Sequence, residues 1–548
     1  MSGVALLQMK EAPERCFGSN YGDGAGQGAA MTSDPAINPY DAVAYPGHAF
    51  SQTHPSRLAT IAHFHGMDPA RPTHMRVLEL GCGRGGNLLP MAAQYPGSRF
   101  LGIDLSGASI RQAKANAAEL GLTNLDFEQR DILAVGAEIG RFDYIIVHGV
   151  YSWVPDVVRE RIIALFGELL APQGVAFVSY NALPGCRLRD LARDVMLFAV
   201  RDIEEPRERV RVARAALKEI AEASDPESFY GAALRQRLQQ IDEVPDNVLY
   251  HDDLNPGARA FALHEVLASA QRHGLQFLGE ASFPNLYGAA KGPAQQMLDR
   301  IPLDQMAQRE QTLDLLIGRP FRETLLCRAD VPLRRGIRPG SLQPYHLAAN
   351  ARQALPAEKD MRPGVAHFSF DAGVQLAVDL PLCKAALGIL SAIWPASIAW
   401  DELVERACRE AAAELGPDRA HEIARLDEAL TAIFKAGLLD IRLDPPPLTT
   451  SISEKPAASE VARWQALTSD EVTDLRHRAV KLDGVAVRKF ICLLDGSRDQ
   501  RMLLDAMNAF LEETRRSGAS VPGLPQRATA EEVAAHLKDV ARLGLLWA

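Results

Sequence analysis

The chain has 548 residues, 47% of them hydrophobic, and a formal net charge of −10. That is the composition of an ordinary globular protein too long for one core, without the basic footprint of a nucleic-acid binder. Its seven cysteines show no CxxC spacing, so reduced thiols in a cytoplasmic protein are expected, with no metal site and no disulfide framework.

Residues 1–37, with the Gly- and Ala-rich run 22–30, are expected to be disordered. Met31 is the expected true start. The apolar run Val4–Leu7 is too short for a signal-peptide core, and no uncharged stretch approaches membrane-spanning length. From Arg76 strand and helix signals alternate. Arg76–Leu80 and Arg99–Asp104 are predicted strands. A helix follows, with Ser106 as its N-cap and Ile110, Ala113, Ala117 and Leu120 on one face. Leu125–Gln129, Tyr144–Val147 and Val175–Ser179 are further strands, and Val157–Leu170 is the helix between the last two. Such alternation predicts a parallel sheet with helices on both faces.

Two charged amphipathic helices, Glu208–Glu222 and Ser228–Ile241, interrupt the pattern. It resumes with a helix over Ala262–His273 and strands at Leu275–Gly279 and Phe321–Arg328. The helical pair is therefore read as an insertion into the sheet domain, the alternative being a separate helical domain at 200–330. A basic linker, Arg334–Gly340, precedes a hairpin whose strands, Ala366–Phe370 and Val374–Val378, flank Asp371-Ala372-Gly373. Two C-terminal units share a spacing, Leu430…Ile433…Gly437-Leu438-Leu439 and Leu537…Val540…Gly544-Leu545-Leu546. They are read as a degenerate repeat of a winged-helix-like module. Each carries a short helix upstream, at Asp401–Leu415 and Met502–Phe510. Because Asp401–Leu415 holds five acids and two arginines, whereas a DNA-reading helix is basic, both modules are read as protein-interaction or scaffolding units.

The loop Glu79-Leu80-Gly81-Cys82-Gly83-Arg84-Gly85-Gly86 carries the first chemistry. Glycines let the backbone turn sharply and approach a ligand. The loop also satisfies GxGxxG, so a nicotinamide dinucleotide must be weighed. Glu79 suits the cationic amino group of a methionine moiety and would repel a pyrophosphate. Asp104, ending the second strand, can accept both ribose hydroxyls, which fits either ligand. Asp131, before Ile132, can accept from an adenine amino group, or is simply a turn residue. Three carboxylates at successive strand ends favour S-adenosylmethionine. The expected cofactor contacts are Glu79, Gly81, Cys82, Gly83, Gly85, Asn87, Asp104, Leu105, Asp131, Ile132 and His148.

The segments Asp143-Tyr144-Ile145-Ile146-Val147-His148-Gly149-Val150-Tyr151-Ser152-Trp153-Val154-Pro155 and Ser179-Tyr180-Asn181-Ala182-Leu183-Pro184-Gly185 resemble bacterial class I methyltransferases that carry a methyltransferase regulatory domain. The rickettsial protein-lysine methyltransferases acting on outer-membrane proteins are the functionally described members. Further matches are Tyr40-Asp41 to Pro55, Leu249-Tyr250-His251, Phe321-Arg322 to Arg328 and Leu475-Arg476-His477-Arg478, so the resemblance spans about residues 38–548. Where the family usually has an aromatic residue, this chain has Cys186, which puts the shape of the acceptor pocket in question. The expected fold is α/β, a Rossmann-like class I methyltransferase sheet over 38–330 with a helical insertion at 187–260. Two smaller winged-helix-like α+β domains follow, at 345–443 and 460–548.

Methyl transfer is an in-line displacement that needs alignment and a dry site. The acceptor should enter at the ends of the fourth and fifth strands. That makes His148, Tyr151, Trp153, Tyr180 and Asn181 the catalytic candidates. Tyr151, Trp153 and Tyr180 are read as pocket walls, Asn181 as the group orienting an amine, and His148 as either a base or a loop anchor. The expected activity is transfer to lysine of a protein partner, such as an outer-membrane protein before export. The alternatives are a small-molecule or modified-peptide acceptor, and a cofactor-binding scaffold without transfer. The helices at 187–260 are left open between a lid and a homodimer interface.

Overall fold

The computed structural model describes residues 47–282, 292–354, 364–517 and 525–548. The expected disorder of residues 1–37, the start at Met31 and the Tyr40-Asp41 match lie outside them. The described chain divides into two compact units, residues 47–282 with 292–335, and residues 336–548.

The first unit is built on one seven-stranded sheet. Helix α1 (Pro55–Phe64) leads into β1 (Arg76–Leu80), α2 (Leu88–Gln94), β2 (Arg99–Asp104), α3 (Gly107–Glu119), β3 (Leu125–Gln129), β4 (Phe142–Val147), α4 (Asp156–Leu169) and β5 (Leu170–Asn181). The strand order is β3-β2-β1-β4-β5-β7-β6, where β6 is Leu275–Glu280 and β7 is Phe321–Arg328. Strands β1 to β5 run parallel, and β7 runs antiparallel to both neighbours. The inner strands are near-continuous apolar runs, as burial on both faces requires, with Ile145, Ile146, Val147, Val175, Phe177 and Val178 all in the core. Ser106 caps α3 by accepting from the Ser109 amide at 3.0 Å, which turns Ile110, Ala113 and Ala117 inward.

The chain leaves the sheet after β5 and forms α5 (Cys186–Ala199), α6 (Pro206–Ala223), α7 (Phe229–Ile241) and α8 (Asp246–Asp252). These helices share a core that includes Ala192, Met196, Ala213, Leu217, Leu234 and Leu249. Buried Asp253 fastens the base of the insertion, pairing with Arg189 at 2.8 Å and Arg237 at 3.0 Å. Helix α9 (Leu263–Arg272) then returns the chain to β6. Two helices not read from the sequence, α10 (Gly292–Asp299) and α11 (Met306–Ile317), precede β7. Arg322 on β7 is fully buried and pairs with Glu280, Glu310 and Asp314. It thereby ties β7 to β6 and α11.

The second unit contains short β8 (His346–Ala348) and β9 (Arg352–Ala354), and an antiparallel hairpin of β10 (Ala366–Ser369) and β11 (Gln375–Val378). It continues through α12 (Pro381–Ile393), β12 (Ile398–Ala399), α13 (Trp400–Glu410), α14 (Arg419–Lys435) and β13 (Asp440–Arg442). Beyond these lie α15 (Glu460–Gln465), β14 (Glu471–Thr473), β15 (Ala479–Lys481), α16 (Val485–Leu493), α17 (Gln500–Arg516) and α18 (Ala530–Arg542). The repeated spacing has a physical counterpart. Helices α14 and α18 both end on a left-handed glycine, Gly437 at φ 74° and Gly544 at φ 73°. In each the next amide reaches back five residues, Leu438 to Ile433 at 3.1 Å and Leu545 to Val540 at 3.2 Å. Among the described residues no helix is long and apolar enough to cross a membrane, and no residue cluster is suited to a metal ion.

Candidate functional site

The loop after β1 is fixed from three sides. The amides of Gly81 and Cys82 both donate to the Ile103 carbonyl, at 2.7 and 3.2 Å. Gly81 and Gly85 have left-handed φ angles of 79°, and neither has room for a side chain. A Cβ on Gly81 would lie 2.4 Å from Val150, and one on Gly85 would lie 2.5 Å from Phe127. Gly83 differs, because a Cβ there would meet nothing within 4 Å. Cys82 is a buried filler whose thiol is held well above its ordinary value by burial and by the charges of Glu79 and Asp104.

Glu79 is buried beneath this loop. Its Oε1 accepts from Asn87 Nδ2 at 2.8 Å, while Oε2 is buried with no partner among the described residues. Asn87 also donates to Thr53 Oγ1 at 3.0 Å and accepts from the Phe50 amide at 3.0 Å. It thus bridges the carboxylate to the segment before α1. Burial, with a smaller contribution from Asp104, pushes the Glu79 carboxyl up to about 7 against the Asn87 hydrogen bond. A buried carboxylate with one unanswered oxygen fits a ligand cation, since an unpaired charge in such a place is costly.

Asp104 binds the loop itself. Oδ2 accepts from the Gly83 amide and Oδ1 from the Ser106 amide, both at 2.8 Å. Beside it Leu105 is 59% exposed, and beyond β3 Leu133 is 44% exposed. These apolar surfaces suit the faces of a base. Asp131 is exposed and accepts from the Leu133 amide at 2.9 Å, capping the short turn that begins at Ile132. The turn function weighed for Asp131 is therefore present.

The residues after β4 and β5 divide between the two faces of the sheet. The His148 ring packs on Phe50 at 4.0 Å, Phe177 at 5.8 Å and Phe321 at 6.3 Å. Its Nδ1 is buried without a partner among the described residues, and burial pushes its pKa down to about 4. Such an imidazole is neutral at physiological pH and sits among aromatic rings in the segment after β4. The Gly149 amide donates to Ser179 Oγ at 2.9 Å, and the Asn181 amide to Ser152 Oγ at 2.8 Å. These bonds lock the segment from His148 to Trp153 onto β5. The Asn181 side chain forms no hydrogen bond among the described residues, leaving its carboxamide available.

Tyr180 points to the opposite face from Asn181, as alternation along a strand dictates. It is 1% exposed, with its hydroxyl 3.0 Å from Thr324 Oγ1. Its ring lies 6.0 Å from Tyr151, which in turn sits 5.1 Å from Phe261. The two tyrosines form a buried aromatic cluster and are not brought together with the Asn181 carboxamide. Trp153 lies beside the Arg189 guanidinium of the insertion, 6.0 Å from its ring centre. Cys186 is 3% exposed and its thiol donates to the Pro320 carbonyl at 3.0 Å, so its shortened side chain is used inside the fold. His54 occupies the N-cap position of α1 without a side-chain capping bond, and its ring lies 5.7 Å from Tyr95.

Sequence reasoning missed Phe50, Phe261 and Glu323 near this region. Aromatic residues in connecting segments carry no periodic signal, and one glutamate in an alternating strand reads as an ordinary solvent-facing residue.

Comparison with known proteins adds family context. A model described as a methyltransferase domain matches residues 72–225, and one described as a predicted methyltransferase regulatory domain matches residues 245–328. A third, described as the PKMT C-terminal winged helix domain, matches residues 454–545. An uncharacterized protein of Rickettsia prowazekii is 28% identical over 87% of this chain and 86% of its own length. A second from the same organism is 33% identical over 44% of this chain and 96% of its own length. Among solved structures, PKMT2 from Rickettsia typhi is 27% identical with a TM-score of 0.81, covering 92% of this chain and 100% of that one. Its complex with AdoHcy matches with a TM-score of 0.80.

Proposed function

The chain belongs to the class I S-adenosylmethionine-dependent methyltransferases that carry a methyltransferase regulatory domain, and we propose that its acceptor is the side-chain amine of lysine in a protein substrate. One observation carries the reading. The likeness to PKMT2 runs through 92% of this chain, including the winged-helix region, and is not confined to the cofactor-binding half. Accessory domains of this size suit a macromolecular acceptor, and a net charge of −10 suits a basic one.

S-adenosylmethionine supplies an electrophilic methyl group on a sulfonium. The chain's own residues bind and orient. Glu79 Oε2 answers the amino group of the methionine moiety. Asp104 accepts from the ribose hydroxyls while still holding the loop through the Gly83 amide. Leu105 and Ile132 flank the adenine, and Asp131 accepts from its amino group. On the acceptor side, Phe50, Phe177, Phe321 and neutral His148 exclude water. This apolar wall lowers the acceptor pKa from its free value of about 10.4. The Asn181 carboxamide oxygen accepts from the neutral amine and aims its lone pair at the methyl group.

The test is direct. The purified chain is incubated with labelled S-adenosylmethionine and an unfolded bacterial outer-membrane protein, and the product is mapped by peptide mass spectrometry. The expected result is a one-methylene mass increment confined to lysines. Label found only in small molecules when host lysate replaces the purified acceptor would overturn the reading.

A further inference from the structure

Transfer to lysine requires that the incoming ammonium lose a proton, and a positioned carboxylate can both hold the cation and take that proton. The residues already assigned to the acceptor side do not provide one. His148 stays neutral in its aromatic box, and the phenols of Tyr151 and Tyr180 are pushed upward by burial. Of the carboxylates on the face that carries Ser179 and Asn181, Glu79 and Asp104 belong to the cofactor loop, and Glu323 lies on the acceptor side, on β7. In the β5–β7 register Glu323 pairs with Ser179, and Phe321 pairs with Asn181. Cross-strand partners share a face, so Glu323 stands with Ser179, Asn181 and Phe321. Ser179 binds the Gly149 amide and Phe321 packs on His148. The backbone at Glu323 is pinned by its amide to Glu280 Oε2 at 3.0 Å, and by its carbonyl, which accepts from the Ala281 amide at 2.9 Å.

We propose that Glu323 is the residue that binds the acceptor lysine as an ammonium ion and takes its proton before methyl transfer. The inference rests on the lysine reading above. In the first step one N–H bond of the ammonium breaks and an O–H bond forms on Glu323, leaving a neutral amine and a neutral carboxylic acid. In the second, the amine lone pair forms the N–CH3 bond as the sulfonium S–CH3 bond breaks, and that bonding pair stays on sulfur as a neutral thioether. The methylated lysine leaves as a cation, and Glu323 returns its proton to solvent.

The surroundings suit this exchange. Burial, reinforced by Glu280, pushes the Glu323 carboxyl up to about 7, opposed by Arg57 of α1, a hydrogen bond from Gln52 and Arg319 ahead of β7. A carboxyl poised there both pairs with a cation and carries a proton near neutral pH.

The experiment compares wild type, Glu323→Gln and Glu323→Asp in the full chain. It measures S-adenosylmethionine affinity by calorimetry and lysine methylation of the outer-membrane acceptor across pH. The expected result is cofactor affinity within twofold of wild type in Glu323→Gln, with kcat/KM about a hundredfold lower near neutrality, a general-base-sized loss. That loss should shrink as pH rises toward the lysine value of about 10.4, because solvent then removes the proton. Glu323→Asp keeps the carboxylate but retracts it, and should show an intermediate loss. It carries the test alone if the glutamine variant does not fold. A loss equal at every pH, or activity within fivefold of wild type with an unchanged profile, overturns the proposal while leaving the lysine reading standing. Absence of lysine methylation by wild type overturns both.

Discussion

At the residue scale, the cofactor loop is held by side chains that already bond one another. Glu79, Asn87, Thr53 and the Phe50 amide form one connected set, and one oxygen of Glu79 is left over. Because the folded-state pKa of Glu79 is raised from 4.5 to about 7, the protonated form favours the fold. Its contribution is present below the unfolded value and is lost as pH rises through about 7, a swing on the order of 3 kcal/mol. Glu79→Gln is neutral at every pH, so thermal unfolding of the ligand-free variant should depend less steeply on pH between about 4.5 and about 7 than in wild type. Cofactor binding should behave oppositely. The cation needs the carboxylate, so wild-type affinity should strengthen as pH rises through that window. The variant should bind at least about tenfold more weakly, a loss of ~1.4 kcal/mol, with no pH dependence; calorimetry at several pH values reads both. Glu79 and Asp104 were legible because glycine spacing marks a loop and strand ends mark its neighbours. The bonds from Asn87 back to Thr53 and Phe50 were not, since contacts 34 and 37 residues apart leave no local pattern. The facing of Tyr180 carries no local signal for a related reason: its pairing with Arg322, more than 140 residues away in sequence, turns it to the face opposite Asn181.

At the element scale, the loop after β1 and the segment after β4 are in mechanical contact. A methyl group on Gly81 would press on Val150, whereas one on Gly83 would enter open space. Both positions have positive φ, so both alanine variants carry backbone strain of about 1–2 kcal/mol. Gly81→Ala should lose stability beyond that by displacing Val150. Gly83→Ala should lose mainly cofactor affinity, because the added methyl projects into ligand space. Melting temperature and calorimetric affinity measured side by side separate the two. The helical insertion is a second case. Asp253→Ala would leave the half-buried Arg189 and Arg237 without their shared carboxylate, a loss of up to about 3 kcal/mol. Hydrogen exchange should then show faster opening of α5 to α8 while β1, β4 and β5 keep their protection. Elements with long apolar runs or clear helical periodicity were readable from the sequence, including the insertion helices α6 and α7. Strands β8, β9, β12 and β13 were not, since they span two or three residues each and too few positions exist for alternation to register. Helix α5, Cys186–Ala199, falls within the helical insertion expected at 187–260, although only α6 and α7 were read as individual helices there.

At the scale of the whole molecule, the two compact units place cofactor chemistry in one and the winged-helix region in the other. The second unit has an independent core, in which Leu503, Leu537 and Leu545 are fully buried around Phe490 and Ile491. Two units with separate cores should unfold in two transitions, and a ligand that binds one should raise only that one. S-adenosylmethionine at a hundred times its Kd should therefore stabilise residues 47–335 by about 2.7 kcal/mol without moving the other transition. The reciprocal change is Leu537→Ala. It removes a fully buried leucine and should destabilise the second unit by about 2–5 kcal/mol, leaving cofactor affinity unchanged. Differential scanning calorimetry with and without ligand, on wild type and Leu537→Ala, gives four traces. A single transition that shifts with both perturbations would mean that the units unfold cooperatively. In that case the winged-helix region would be energetically part of the catalytic fold. If the transitions separate, the loss of lysine methylation in any winged-helix variant that still binds S-adenosylmethionine can be assigned to acceptor recognition.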